Sequence, residues 1–415
     1  MRTSRAHLAV TVALLLTVQQ AASAQDKVLA RASAESTPAI VRPAPAKSPV
    51  APAKKIATTN PKTQTTKKRA TPVKRASRVV AKPRYPTYGN PAQGDDPSRD
   101  DSVVRAAAVE ALGNLMGAAV VVDPQSGRVL SVVNQQLAFG GGYQPCSAFK
   151  PVVALAALGE GIIENDRTRL QLGKKWYLDL HKALAISNNL YFEKLGRLLG
   201  IDRLEQYAHQ FGFGEQAGWE IEPEPAGAFP NTTPSARAGG VGRVASFGQG
   251  ISMTMFQLAS FVTAMANGGT LYYLQYPASG PVTGQDEAQE FTPRVKRELP
   301  LGSALDVVQS GMEEAVLTGT ARRAKQPDLR LVGKTGTCSQ AGARLGWFAG
   351  YNREPGGVAV VILLRTGQNL GGGPRASQVA GNIFRQLGDN DYYSRASQRD
   401  PLPALPASIQ LPQFP

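Results

Sequence analysis

The chain has 415 residues, with 46 Lys or Arg against 31 Asp or Glu and a formal net charge of +15 at pH 7. That length would fit two or three domains, but the apolar residues are unevenly spread and gather in one long stretch. The three histidines, His7, His181 and His209, form no ligand cluster. This argues against metal-dependent hydrolysis and against His-based triads, and no cofactor is implied.

Residues 1–24 are expected to be a signal peptide. Two early arginines precede an apolar run of 11 residues from Leu8 to Val18, then Ala22-Ser23-Ala24, the order of a secretory signal. The run is well short of the roughly 20 residues that cross a bilayer as a helix. An exported protein, periplasmic or associated with the cell wall, is the expectation. Residues 25–101 form a basic linker rich in Pro, Ala and Lys. Between residues 26 and 100 it carries 16 Lys and Arg against 5 Asp and Glu. So polar a segment cannot bury enough apolar surface to offset the entropy of ordering it, and its prolines favour an extended spacer. Basic runs suit polyanions. Export argues against nucleic acid and leaves an anionic wall polymer, a membrane surface or a plain solvated tether.

The globular part is expected over 102–388, large enough for one core with an inserted subdomain, and 389–415 is a Pro-rich tail. Residues 102–116 have helical spacing. A β-branched run at 118–122, the turn Asp123-Pro124-Gln125-Ser126-Gly127 and a second run at 128–133 read as a hairpin. Helical patterns follow at 148–158, 190–199, 201–211, 254–267, 303–317 and 375–387. Strand-like runs lie at 330–338, 344–351 and 357–365. A hairpin before a block of helices, with three strands and a helix after it, implies an α+β domain. Its first and last strands would share one antiparallel sheet.

Three short motifs carry chemistry. Ser147-Ala148-Phe149-Lys150 stands where a helix should begin, and residues three apart share a helix face. The Lys150 amine can then serve as the base that a weak serine nucleophile needs, provided burial or nearby charge lowers its pKa. The helix start also offers unpaired N–H groups to an oxyanion. Alone the pattern is weak, since roughly one or two chance Ser-x-x-Lys matches are expected in such a chain. Ser187-Asn188-Asn189 opens the helix from 190 and by itself reads equally as an N-cap. Lys334-Thr335-Gly336-Thr337 lies in a strand-like run, where Gly336 permits close approach of a ligand backbone.

In this order the motifs match the Ser-x-x-Lys, Ser-x-Asn, Lys-Thr-Gly set of penicillin-binding proteins and serine β-lactamases. The resemblance to the transpeptidase domain of penicillin-binding proteins extends further. It includes Val121-Val122-Asp123-Pro124 with Gly127, the stretch Ser246-Phe247-Gly248-Gln249-Gly250, Ala266-Asn267-Gly268-Gly269, Gly319-Thr320-Ala321, and Gly346-Trp347-Phe348-Ala349-Gly350-Tyr351. It implies a five-stranded antiparallel sheet flanked by helices, with an all-helical subdomain. The 40 residues from Ser147 to Ser187 make that subdomain look trimmed. It further implies D,D-transpeptidase activity on peptidoglycan stem peptides and reaction with β-lactams. Ser147 would be the nucleophile and Lys150 its base. Ser187 would pass a proton to the leaving amine, and Asn189 would hold substrate and Lys150. Lys334 would supply positive charge, with the Thr335 and Thr337 hydroxyls binding the substrate carboxylate beside Gly336. The N–H groups of Ser147 and Thr337 would form the oxyanion hole.

Residues 26–100 are too polar to stand in for the pedestal or glycosyltransferase regions that precede this domain in the family. Two other readings stay open: a β-lactamase or β-lactam sensor of the class with a carboxylated lysine, and a non-catalytic wall-binding homologue. Asn189 stands where the former usually has valine, and the intact motif set argues against the latter. Cys146 precedes the nucleophile and Cys338 follows Thr337. Some carbapenem-hydrolysing serine β-lactamases carry a bridge at these two offsets, so the resemblance implies a Cys146–Cys338 disulfide, favoured by export.

Overall fold

A computed structural model describes residues 85–221, 223–230, 232–277, 291–367 and 372–398. The signal segment, most of the basic linker and the end of the tail lie outside the described residues.

The folded domain extends beyond 102–388 at both ends. Asp95 and Asp100, inside the stretch read as linker, both pair with Arg105, at 3.1 and 2.8 Å. Asp95 also accepts the N–H groups of Asn134 and Gln135. The clustered acids of an otherwise basic stretch thus pin its last residues to the domain. Asp101 then caps α1 (Ser102–Leu112), its side chain accepting from Val103 N and Val104 N, as expected of an N-cap aspartate.

Next come β1 (Gly117–Val122) and β2 (Val129–Val133), then α2 (Gln135–Phe139). A 3-10 turn, Cys146–Phe149, leads directly into α3 (Lys150–Gly159). A hairpin of β3 (Arg169–Gly173) and β4 (Trp176–Asp179) runs into α4 (Leu180–Ala185). The hairpin is an element that the all-helical expectation lacks. The long α5 (Asn189–Gln210) breaks at Gly200, at φ 80 and ψ 169, where the sequence divides two helical patterns. After it come α6 (Gly240–Phe247) and α7 (Met255–Asn267), the latter started by a capping box between Thr254 and Gln257. The chain continues through β5 (Thr270–Tyr272), β6 (Val295–Glu298) and α8 (Gly302–Leu317). It closes with β7 (Leu331–Gln340), β8 (Ala343–Asn352), β9 (Ala359–Thr366), α9 (Gly373–Asp389) and α10 (Tyr392–Ser397). The last helix buries Tyr392 and Tyr393, so the tail departs later than residue 389.

The central sheet has the order β2-β1-β9-β8-β7, and every neighbouring pair is antiparallel. Its strands are buried on both faces, which explains their continuous apolar runs. Val120, Val122, Trp347, Tyr351, Val361 and Leu363 face a core shared with α3, α5 and α7. The alternate residues Val121, Phe348, Val360 and Ile362 face α1 and α9, as the two-residue period of a strand requires. The edge strand β7 carries the third motif.

Candidate active site

Ser147 sits in the 3-10 turn, with the Lys150 N–H bonded back to its carbonyl. Cys146 is held at φ 53, a left-handed conformation unusual outside glycine. Five ties fix this turn. Gln144 donates its backbone N–H to Gln340 Oε1 at 3.1 Å and its Nε2 to Phe247 O at 2.9 Å, and its carbonyl accepts from Trp347 Nε1 at 3.0 Å. Cys146 is disulfide-bonded to Cys338 with α-carbons 5.6 Å apart. Finally Gly336 of β7 packs on the turn so closely that a Cβ there would lie 2.8 Å from Pro145 O and 3.0 Å from Ala148 N. The glycine in the third motif is thus a condition of contact between strand and nucleophile turn.

Lys150 is fully buried. Its Nζ is surrounded by three acceptors, Ser187 O at 2.7 Å, Ser187 Oγ at 3.1 Å and Asn189 Oδ1 at 2.7 Å, enough for the three hydrogens of an ammonium and one more than the two of a neutral amine. The Phe192 ring lies 5.2 Å away. Lys334, equally buried, donates from the opposite side to Ser187 Oγ at 2.8 Å and to Thr335 O at 2.9 Å. Ser187 Oγ therefore accepts from two lysines, and its own hydrogen must point elsewhere. Ser187 is at φ 54. The cap of α5 is its neighbour Asn188, whose side chain accepts from Tyr191 N at 2.9 Å, leaving Ser187 and Asn189 to face Lys150.

Burial pushes both amines down. For Lys150 desolvation comes first and the charge of Lys334 adds to it, with Glu193 opposing, and its pKa falls well below the ordinary lysine value. Lys334 is brought down to about 7 by burial. A neutral amine beside a serine is what general-base activation requires. The Ser147 hydroxyl donates to Ser246 O at 3.5 Å, long for an O–H···O bond. No hydrogen bond joins it to Lys150 among the described residues, so the direct Ser147–Lys150 contact expected from the spacing is not made in this state.

The two threonines already have partners. Thr335 Oγ1 and Thr320 Oγ1 are 2.8 Å apart, and Thr337 Oγ1 accepts from Gly373 N at 2.6 Å. Two hydroxyls sharing one hydrogen bond leave one hydrogen over, and Thr337 keeps its own. Two O–H donors remain for an incoming carboxylate, one of them available through Thr320. The Gly319-Thr320-Ala321 stretch resembles the family, but nothing in the sequence marks the Thr320 side chain as part of the site.

The family described as "Penicillin binding protein transpeptidase domain" matches residues 117–387. Stage V sporulation protein D of Bacillus subtilis is 30% identical over 259 residues, covering 54% of this chain and 40% of that protein. The peptidoglycan D,D-transpeptidase MrdA of Acinetobacter baumannii is 24% identical over 398 residues, covering 78% and 57% respectively. The chain thus spans about half the length of these relatives. Among solved structures, the D,D-transpeptidase domain of a peptidoglycan glycosyltransferase from Eggerthella lenta superposes with a TM-score of 0.58 at 22% identity, over 70% of this chain and 82% of that one. The transpeptidase domain of penicillin-binding protein 3 from Burkholderia pseudomallei gives 0.58 at 22%, over 70% and 94%.

Proposed function

Because the chain belongs to the penicillin-binding protein transpeptidase family, we propose that it is a serine D,D-transpeptidase that acts on peptidoglycan stem peptides through an acyl-enzyme on Ser147. The observation that carries this reading is the convergence of two buried lysines on one hydroxyl, that of Ser187.

In the proposed cycle a rotation of Ser147 brings Oγ to neutral Lys150 Nζ, which takes its proton as Oγ attacks the penultimate D-alanine carbonyl. The oxyanion is held by the N–H groups of Ser147 and Thr337. Loss of one such donor typically costs about 100- to 1,000-fold in rate. As the tetrahedral intermediate collapses, the C–N bond breaks. The amine of the terminal D-alanine takes the Ser187 proton, and Ser187 is reprotonated from Lys150. Lys334, with the free hydrogens of the Thr320–Thr335 pair and Thr337, binds the terminal carboxylate. An amine of a second stem peptide then displaces Ser147 to form the cross-link, or water releases the acyl group in a carboxypeptidase reaction. The disulfide beside the nucleophile supports placing the domain outside the cytoplasm.

The test is covalent labelling with a fluorescent penicillin. Wild type is expected to form a stable adduct lasting minutes or longer, and Ser147→Ala none. Absence of any adduct on wild type would sink the reading, and rapid turnover would make the chain a β-lactamase instead.

A further inference from the structure

A cavity of about 600 Å³ opens at the far end of the central sheet, between the β1–β2 turn, the β8–β9 turn and α10. Along β8 it is seven residues from Leu345, the partner of Cys338, to Asn352, the partner of Leu331. At about 3.4 Å per residue the cavity lies on the order of 20 Å from the bridge beside the nucleophile. It is thus a separate place from the catalytic cleft.

Arg128 lines this cavity. Its Nε is buried and without a hydrogen-bond partner, and no carboxylate among the described residues pairs with the guanidinium. The guanidinium carbon lies over the Phe291 ring, 5.9 Å from its centre. A second unmet donor stands behind the opposite wall. Asn352 is almost fully buried, its Oδ1 accepts from Val358 N at 2.8 Å, and its Nδ2 has no partner. Gly357, which lines the cavity, lies beside it, and a Cβ on that residue would sit 3.0 Å from Nδ2. Among the described residues that line the cavity the one acid is Asp123, engaged by its own turn, where its carboxylate accepts from Gln125 N and Ser126 Oγ. Guanidinium and amide NH2 groups can only donate, so the unfilled demand of this site is for an acceptor. The volume falls within the roughly 300–1,000 Å³ of ligand pockets, and Phe291, Leu130 and Val358 give it apolar walls.

We propose that this cavity is a second, non-catalytic ligand site that takes a carboxylate carried on an aromatic or aliphatic body of about dipeptide size, with Arg128 as the anchor. A planar carboxylate matches the guanidinium fork, and Phe291 offers a face for the body. The inference does not depend on the acyl-transfer reading.

The test is ligand-observed NMR titration of the full chain with N-acetyl-L-phenylalanine, its primary amide and phenyl phosphate. Saturable binding of the acid is expected, with the amide at least tenfold weaker. Arg128→Gln should weaken the acid at least tenfold at an unchanged unfolding midpoint, with Arg128→Lys in between. Ser147→Ala should bind as wild type does. Equal binding of acid and amide, full affinity in Arg128→Gln, no saturable binding, or loss of binding in Ser147→Ala would each overturn the proposal. Tenfold preference for phenyl phosphate would overturn the assignment of a carboxylate.

Discussion

At the scale of single residues, the two lysines dominate, and their depressed pKa values have a sign. A lysine in the unfolded chain titrates near 10.4, whereas Lys334 folds with a value of about 7 and Lys150 also falls well below normal. Between pH 7 and 10 the unfolded chain binds more protons, so stability rises with pH across that window and is lost as pH falls through the folded values. For Lys334 the effect is on the order of a few kcal/mol. Denaturant unfolding at pH 7 and pH 9 should show the gain, and Lys334→Met should reduce it to the part that Lys150 contributes. The same titration bears on rate, because acylation needs neutral Lys150 and should climb with pH through its depressed pKa. Thr320 gives a second prediction. Thr320→Val removes the hydrogen shared with Thr335 and costs roughly 0.5–1.5 kcal/mol of one hydrogen bond. Penicillin acylation should slow about three- to tenfold, while a methyl ester of the same penicillin should react equally with both proteins. A threonine between a glycine and an alanine gives no sequence signal of its own. Only the fold sets it against Thr335, whereas Ser147, Lys150 and Lys334 were readable because their spacing is itself the chemistry.

At the scale of elements, strands and helices with long apolar faces were legible and short ones were not. The run at 118–122 matches β1 because both of its faces are buried. The hairpin Arg169–Asp179 has only three interior leucines, Leu170, Leu172 and Leu178, and is held by packing against α5, where Lys194 Nζ donates to Gln171 O at 2.8 Å. Helix α6 opens with two glycines in its first three residues, poor helix formers, and owes its form to buried Val244, Ala245 and Ser246. The contact between β7 and the nucleophile turn yields a sharper expectation. Gly336→Ala would drive a methyl into Pro145 O and Ala148 N. Strand and turn must separate, so acylation should fall 100-fold or more, while far-UV circular dichroism stays near wild type. A comparable lock sits outside the site. Glu224, buried and pushed up in pKa by desolvation, accepts from Thr254 Oγ1, Ala217 N and Gly218 N and ties the stretch before α6 to the start of α7. Glu224→Ala should cost about 1–3 kcal/mol for the donors it strands, read from denaturant midpoints.

For the whole molecule, the bridge joins residues separated by 192 positions and so closes nearly half the chain. Loop-closure entropy puts its worth on the order of 2–5 kcal/mol. The double variant Cys146→Ala/Cys338→Ala should lose that much stability, measured against wild type kept oxidised. Its penicillin acylation should slow without vanishing, since Gly336 and Trp347 still hold the turn.

The strand order carries a consequence for how such a chain is made. β1 lies between β2 and β9, with Val120 registered on Val361, so an early strand waits for one near the end of synthesis. Contacts of such long sequence separation form slowly. While the ribosome is still at work, the hairpin of β1 and β2 has a bare edge and no sheet to join. Ending translation before Ala359 should therefore leave an aggregating product with no penicillin adduct, because the missing strand is the one that lets the two halves meet.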